Sequence, residues 1–439
     1  MKKTILFGVI LAGIVSLCWS VYRDIQIEKL YPSDLRNRIV GARLQKDGKM
    51  PYFYKWKPSD GLRYYDPMNF DTMKVSKTTT TPYFNQLLYP IADMEQRTIS
   101  RFWVYLQYIF LFIMVGMALR FADSFLRKMI VLSVAVSFLF TQAWVKVIET
   151  GQMYLFVPLF AFACCFFLSK PKNTAAALAG GLFAVSLVLI RPNTVFMFLP
   201  FLFLAGKYNL RYKVAFFIPI VLVLGYIVSS GQQRALWANY TEGMSEQLKI
   251  HQGFGAASQY NGKDPEFLSW EGWNRDEIAA AQAKTTYFNY SENGNFFVLV
   301  DHIFGKKLTP AFLNIASLLL ISILTSLFYF FNKKSGFDLY NIALLGYGLY
   351  MISDLFSPFY RHQYNTVQWF FPLLLAAAGY TKRYQWIYAA LAAGIILNII
   401  NTPYIKMEHT IGEYIILAAL LSLAFVYNRN GRLKERFNV

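Results

Sequence analysis

Four short polar stretches in an otherwise apolar chain hold the side chains able to do chemistry. The first is Tyr31-Pro32-Ser33-Asp34-Leu35-Arg36-Asn37-Arg38. Leu35, Ile39, Val40 and Leu44 recur at helical spacing, and Pro32 with Ser33 is a helix start, Ser33 serving as N-cap. Asp34 then sits in the first turn, where the helix dipole favours an ionised carboxylate. Such a group can take a proton from a hydroxyl. It can equally pair with Arg38 at i+4 and only stabilise the helix; spacing leaves both readings open.

The second stretch runs from Asp354 to Tyr364 and gathers a carboxylate, a guanidinium, an imidazole and two phenols in eleven residues. Arg361 and His362 suit a phosphate by charge and hydrogen bonding, with Tyr364 beside them. An interfacial arginine reaching lipid phosphates is the alternative. The other two stretches are Glu149-Thr150-Gly151-Gln152 and Arg191-Pro192-Asn193. Gln152 can bond a hydroxyl and Arg191 can hold a phosphate, although helix caps or lipid contacts use the same residues. His251, His302 and His409 are scattered. Metal-ligand spacing, a phosphate-binding glycine loop and a nucleophile elbow are all missing, so neither catalytic metal nor cofactor is expected. Cys18, Cys164 and Cys165 lie in apolar blocks and read as small hydrophobes.

The elements that must position these groups are membrane helices. The chain is 56% hydrophobic and only 15% charged, against about a quarter charged in soluble domains. Its apolar blocks reach the length that crosses a bilayer core. An all-α polytopic fold with about twelve spans is expected: 4–22, 102–119, 129–148, 153–169, 174–190, 194–206, 214–230, 310–331, 339–357, 366–380, 384–401 and 411–427. The sixth and tenth are short. The first, although preceded by Lys2 and Lys3, lacks a small-x-small cleavage site and reads as a retained anchor.

With the N-terminus inside, short inner segments and the tail carry eighteen lysines and arginines, against four in the short outer turns. The net charge of +18 is therefore chiefly a topology signal, and nucleic acid is not an expected partner. The hydrophilic segments 23–98 and 231–309 then both lie outside, as loops of a single membrane domain. No cytoplasmic segment is large enough for a nucleotide-binding domain. An outer site is expected to use a donor already activated on a lipid carrier.

In this setting the residues resemble those of the GT-C superfamily of membrane glycosyltransferases, in the branch of polyprenol-phosphate-mannose-dependent α-mannosyltransferases. One span leads to an outer loop with an early Asp34, followed by Lys46-Asp47-Gly48-Lys49-Met50-Pro51-Tyr52, similar to the family's G-x-x-P-Y stretch. Thr81-Pro82-Tyr83 through Tyr89-Pro90, Gly151-Gln152 and Ser357-Pro358 before His362 follow in the family's order. The resemblance implies Asp34 as general base and His362 in the donor site. It implies transfer of a hexose, mannose-like, from a polyprenyl-phosphate donor to a lipid- or glycan-linked acceptor, with inversion, at the outer face of the cytoplasmic membrane. Arg191-Pro192 stands where the family often has lysine, and Tyr360-Arg361 replaces an aromatic stretch with a further histidine. An O-antigen-type polymerase or ligase is the first alternative, and a lipid-glycan transporter the second. Polymerases and ligases of that type are usually dominated by one late outer loop, and a transporter would be expected to show paired, broken halves.

Overall fold

The computed structural model describes residues 2–66, 75–76, 78–251, 269–274, 276, 278, 280, 294–334, 336–400 and 407–426. The helices are α1 (Lys2–Glu28), α2 (Ser33–Lys46), α3 (Pro82–Leu87), α4 (Tyr89–Ala92), α5 (Gln96–Phe121), α6 (Phe125–Phe138), α7 (Gln142–Thr150), α8 (Phe156–Leu168) and α9 (Thr174–Ile190). They continue as α10 (Leu210–Ser229), α11 (Gly231–His251), α12 (Phe296–Phe304), α13 (Pro310–Asn332), α14 (Leu339–Leu355), α15 (Phe370–Ala378), α16 (Gln385–Ile399) and α17 (Glu408–Val426). Two longer 3₁₀ stretches, Pro192–Lys207 and Gln363–Trp369, lead out of α9 and into α15. Among the described residues the strands are one two-residue antiparallel pair, Ser269–Trp270 with Trp273–Asn274. The chain is an all-α membrane protein.

Each of the twelve expected spans coincides with helical structure, but not with twelve full-length helices. Five described helices are long and apolar enough to cross a bilayer alone: Ile10–Glu28 of α1, α5, α10, α13 and α17. A sixth is the pair α6 and α7, bent by 54°. The break has a local cause, since Thr141 accepts from the backbone N–H of Trp144 and restarts the helix. The remaining segments are shorter or 3₁₀. Several of them lie inside the bundle, where other helices can satisfy irregular backbone.

Packing separates an inner layer from a lipid-facing one. Helix α14 is buried along nearly its whole length, against Pro192–Lys207 and α17. Gly346 permits that approach: a Cβ there would stand 2.2 Å from the Met197 carbonyl oxygen. Small residues let membrane helices close in this way. Helices α10 and α13 instead expose Val221, Leu222, Leu319 and Phe330. Helix α1 is held by a buried carboxylate: Asp24 accepts from Tyr108 Oη at 2.6 Å and Trp144 Nε1 at 2.7 Å.

Helix α2 is enclosed on all sides, from Leu35 to Gln45. Leu35, Ile39, Val40 and Leu44 are buried as their spacing predicts. Arg36, Asn37, Arg38 and Arg43 are buried as well, each with hydrogen-bond partners. The cap differs from expectation by one residue: Pro32 is the N-cap and Ser33 begins the helix, with no side-chain cap. Proline has no N–H to satisfy and its fixed φ suits a helix entry, so Asp34 still lies in the first turn.

Candidate active site

The expected site residues come from the ends of different helices and converge. Helix α7 ends at Gly151, in the left-handed region with φ 68°, where glycine is favoured. A Cβ there would also lie 2.4 Å from Leu35 Cβ, so only glycine lets this corner press against α2. That contact sets Gln152 beside Asp34. Gln152 is fully buried, and its backbone carbonyl accepts from Trp103 Nε1 at 3.1 Å. Its amide donates through Nε2 to Asp34 Oδ2 and accepts through Oε1 from Arg38 Nη2. Arg38 also donates to the Gly151 carbonyl at 3.3 Å.

The i,i+4 pair of Asp34 with Arg38 is therefore not formed, because Gln152 stands between them. Asp34 is half-buried, with Oδ2 held and Oδ1 without a hydrogen-bond partner among the described residues.

The second half of the site is an ion-pair chain. Arg191, at the end of α9, donates to Asp354 Oδ1, at the end of α14. Arg361 donates through Nε to Asp354 Oδ2 at 2.7 Å and through Nη1 to Glu413, which also accepts from Thr366. The Arg361 backbone N–H meets Asn295. Arg361 is 2% exposed between its two carboxylates, whereas Arg191 is 23% exposed. Arg191 Nε has no hydrogen-bond partner among the described residues, and the guanidinium lies over the Tyr154 ring at 5.1 Å.

Aromatic rings join the two halves. Tyr154 stacks on Tyr364 at 5.4 Å, and Tyr364 neighbours His362 at 5.1 Å. His362 keeps an exposed edge although protein surrounds much of the ring. That enclosure lowers its pKa from the ordinary value, with the nearby Asp34 charge opposing the shift. The lowered pKa favours the neutral imidazole, which offers a hydrogen bond rather than a fixed charge. Asp34, Gln152, Arg191, Arg361, His362 and Tyr364 belong to one connected constellation. Tyr154 and Glu413 complete it and were not singled out in the sequence. Glu413 near the start of an apolar helix was the available signal, by the cost of a membrane carboxylate. No cluster of three potential metal ligands occurs among the described residues.

No family model matches this sequence, and no characterised relative matches it. Among solved structures, the chain is similar to the apo form of the Archaeoglobus fulgidus oligosaccharyltransferase, at 12% identity and a TM-score of 0.41. The match covers 97% of this chain and 56% of that one, so the chain spans little more than half the length of the structure it matches.

Proposed function

We propose that the protein is an inverting, polyprenyl-phosphate-sugar-dependent hexosyltransferase of the GT-C type. It takes a mannose-like sugar to a lipid- or glycan-linked acceptor, on the outer face of the cytoplasmic membrane. The observation that carries this reading is the Asp34 carboxylate: one oxygen held by Gln152, the other without a hydrogen-bond partner among the described residues, with the Arg38 guanidinium and the His362 imidazole close by. A general base needs such an arrangement, oriented but not saturated.

In the transfer, the acceptor oxygen attacks the anomeric carbon and its proton passes to Asp34 Oδ1. The bond from that carbon to the phosphate oxygen breaks, and its electron pair leaves with the phosphate. Arg191 and His362 meet that charge, supported by stacking of Tyr154 on Tyr364. Arg361 holds Asp354 and thereby Arg191, so its part is to orient. Preorganised donors of this kind are worth most where charge develops.

The test is transfer by the purified protein in lipid bilayers, offered a panel of radiolabelled polyprenyl-phosphate sugars with lipid acceptors. Transfer that falls at least about 100-fold in Asp34→Asn supports the reading. Transfer at the wild-type rate in that variant overturns it.

A further inference from the structure

A cavity of about 320 Å³ opens between α3, α10 and α11, away from the ion-pair chain. Its walls carry three rings, Tyr83, Tyr226 and Trp237, and two carboxamides, Gln86 and Gln233. The apolar face of α10 forms one wall, and among the described residues no charged side chain lines it. Tyr83 is fixed by a 2.6 Å hydrogen bond between its hydroxyl and Ser186. Gln233 is only 6% exposed, yet its carboxamide makes no hydrogen bond among the described residues, and neither does that of Gln86. Both amides line the cavity, so their donors and acceptors stay open to whatever fills it.

The chemistry of this lining is specific. A pyranose ring presents apolar C–H faces, which lie against aromatic rings, and a rim of hydroxyls, which carboxamides bind as both donor and acceptor. Phosphate would find no cation here. The neighbouring α10 surface is exposed and apolar, with Val221, Leu224 and Val228 facing outward, so an attached hydrocarbon chain has lipid-facing helix beside it. The volume lies at the lower end of small-molecule pockets. One helix face links the cavity toward the charged constellation: Trp237 contacts Tyr240 at 5.7 Å, and the Arg191 charge acts on Tyr240.

We infer that this cavity binds the uncharged carbohydrate head of a membrane-anchored glycolipid, which serves as acceptor. The acceptor role rests on the transfer reaction proposed above; the binding does not. Charge divides the two substrates, the phosphate of the donor going to Arg191 and the neutral sugar to the aromatic and amide walls.

The test uses the full-length protein in nanodiscs and three decyl probes with a diazirine next to the head group: a glycoside, a phosphocholine and a phosphate. The glycoside is expected to label the 222–237 segment saturably, without competition from the other two. Gln233→Leu and Gln86→Leu should each raise its half-saturating concentration roughly five- to tenfold, as for a lost hydrogen bond. Asp34→Asn should label as wild type does. Equal labelling by the phosphocholine probe would make this a general lipid site, and preferential labelling by the phosphate probe would make it the donor site. Either result, or no saturable labelling, overturns the inference without requiring any variant to fold. Loss of glycoside labelling with Asp34-dependent transfer intact refutes the cavity alone. Labelling kept in a chain whose transfer ignores Asp34 refutes the reaction alone.

Discussion

Helix α2 feeds two charged clusters, and they are built to opposite rules. One face carries Arg36 and Arg43, which close on Glu271. That carboxylate meets Arg43 at 2.6 and 3.0 Å, Arg36 at 2.9 Å and the backbone N–H of Gln96 at 3.0 Å. Burial raises the Glu271 pKa, but the hydrogen bond from Arg43 and the charges of Arg36 and Arg43 outweigh it and hold the carboxyl below its ordinary range. The other face carries Asp34 and Arg38. There, among the described residues, Asp34 keeps an oxygen without a hydrogen-bond partner, and Arg191 keeps an N–H without one. A saturated carboxylate is a clamp, here between two segments that are far apart in sequence. An unsaturated one, held from one side, is a reagent. The number of donors, rather than the presence of an arginine, separates the two.

The sharpest way to break this comparison is Asp34→Asn, which keeps shape and helix position. Turnover should fall by about 10²–10⁴, while the unfolding temperature stays near wild type. Arg38→Ala frees Gln152 and should cost less turnover than Asp34→Asn, since the carboxylate remains. Equal effects of the two variants would make Asp34 part of a structural pair after all.

Arg191→Ala comes next. Loss of a donor to a leaving anion typically costs about 10²–10³ in turnover, and the apparent affinity for the lipid-phosphate donor should fall with it. Unchanged kinetics for this variant would remove Arg191 from the donor site. Arg361→Ala is a different experiment, because it leaves Glu413 buried without its cation and Asp354 with Arg191 alone. Breaking a buried pair commonly costs about 3–5 kcal/mol, so poor folding is the expected result.

Glu271→Gln should leave turnover per folded molecule intact and lower stability by about 1–3 kcal/mol, less than a fully dry pair because Glu271 is partly exposed. Its folded pKa is depressed, so its contribution is fully present above the unfolded value near 4.5 and fades as pH falls through the folded one. The variant should lose that acid-side dependence, read from unfolding temperatures between pH 6 and 3. The smallest effect concerns sidedness. Ser59→Cys should react with an impermeant thiol reagent in intact cells and Lys334→Cys should not; the reverse pattern would invert the orientation.

The ends of helices were legible in the sequence, and their interiors were not. Asp34, Gln152, Arg191 and the Arg361–Tyr364 stretch stand out because a polar residue next to an apolar block is conspicuous. Their meeting point follows from Gly151, whose contact with Leu35 is a matter of three-dimensional approach. Glu271 lies 228 residues from Arg43 and announces nothing locally. The expectation of about twelve spans, the sixth and tenth short, coincides with helical structure, but apolar length does not register a bend. The window 129–148 is apolar enough to read as one span, and Thr141, a capping residue inside it, marks the break between α6 and α7.

The anchoring of Asp24 bears on how the chain is made. Helix α1 leaves the ribosome ahead of its long-range partners, with an acidic residue near one end of the span and none of those contacts yet in existence. Tyr108 and Trp144 follow 84 and 120 residues later. At about 5–20 residues per second that is a wait of roughly 4–24 s. For that interval Asp24 has only its helix neighbours Ser20 and Arg23, and the arrival of Trp144 on α7 completes the set of partners that holds α1.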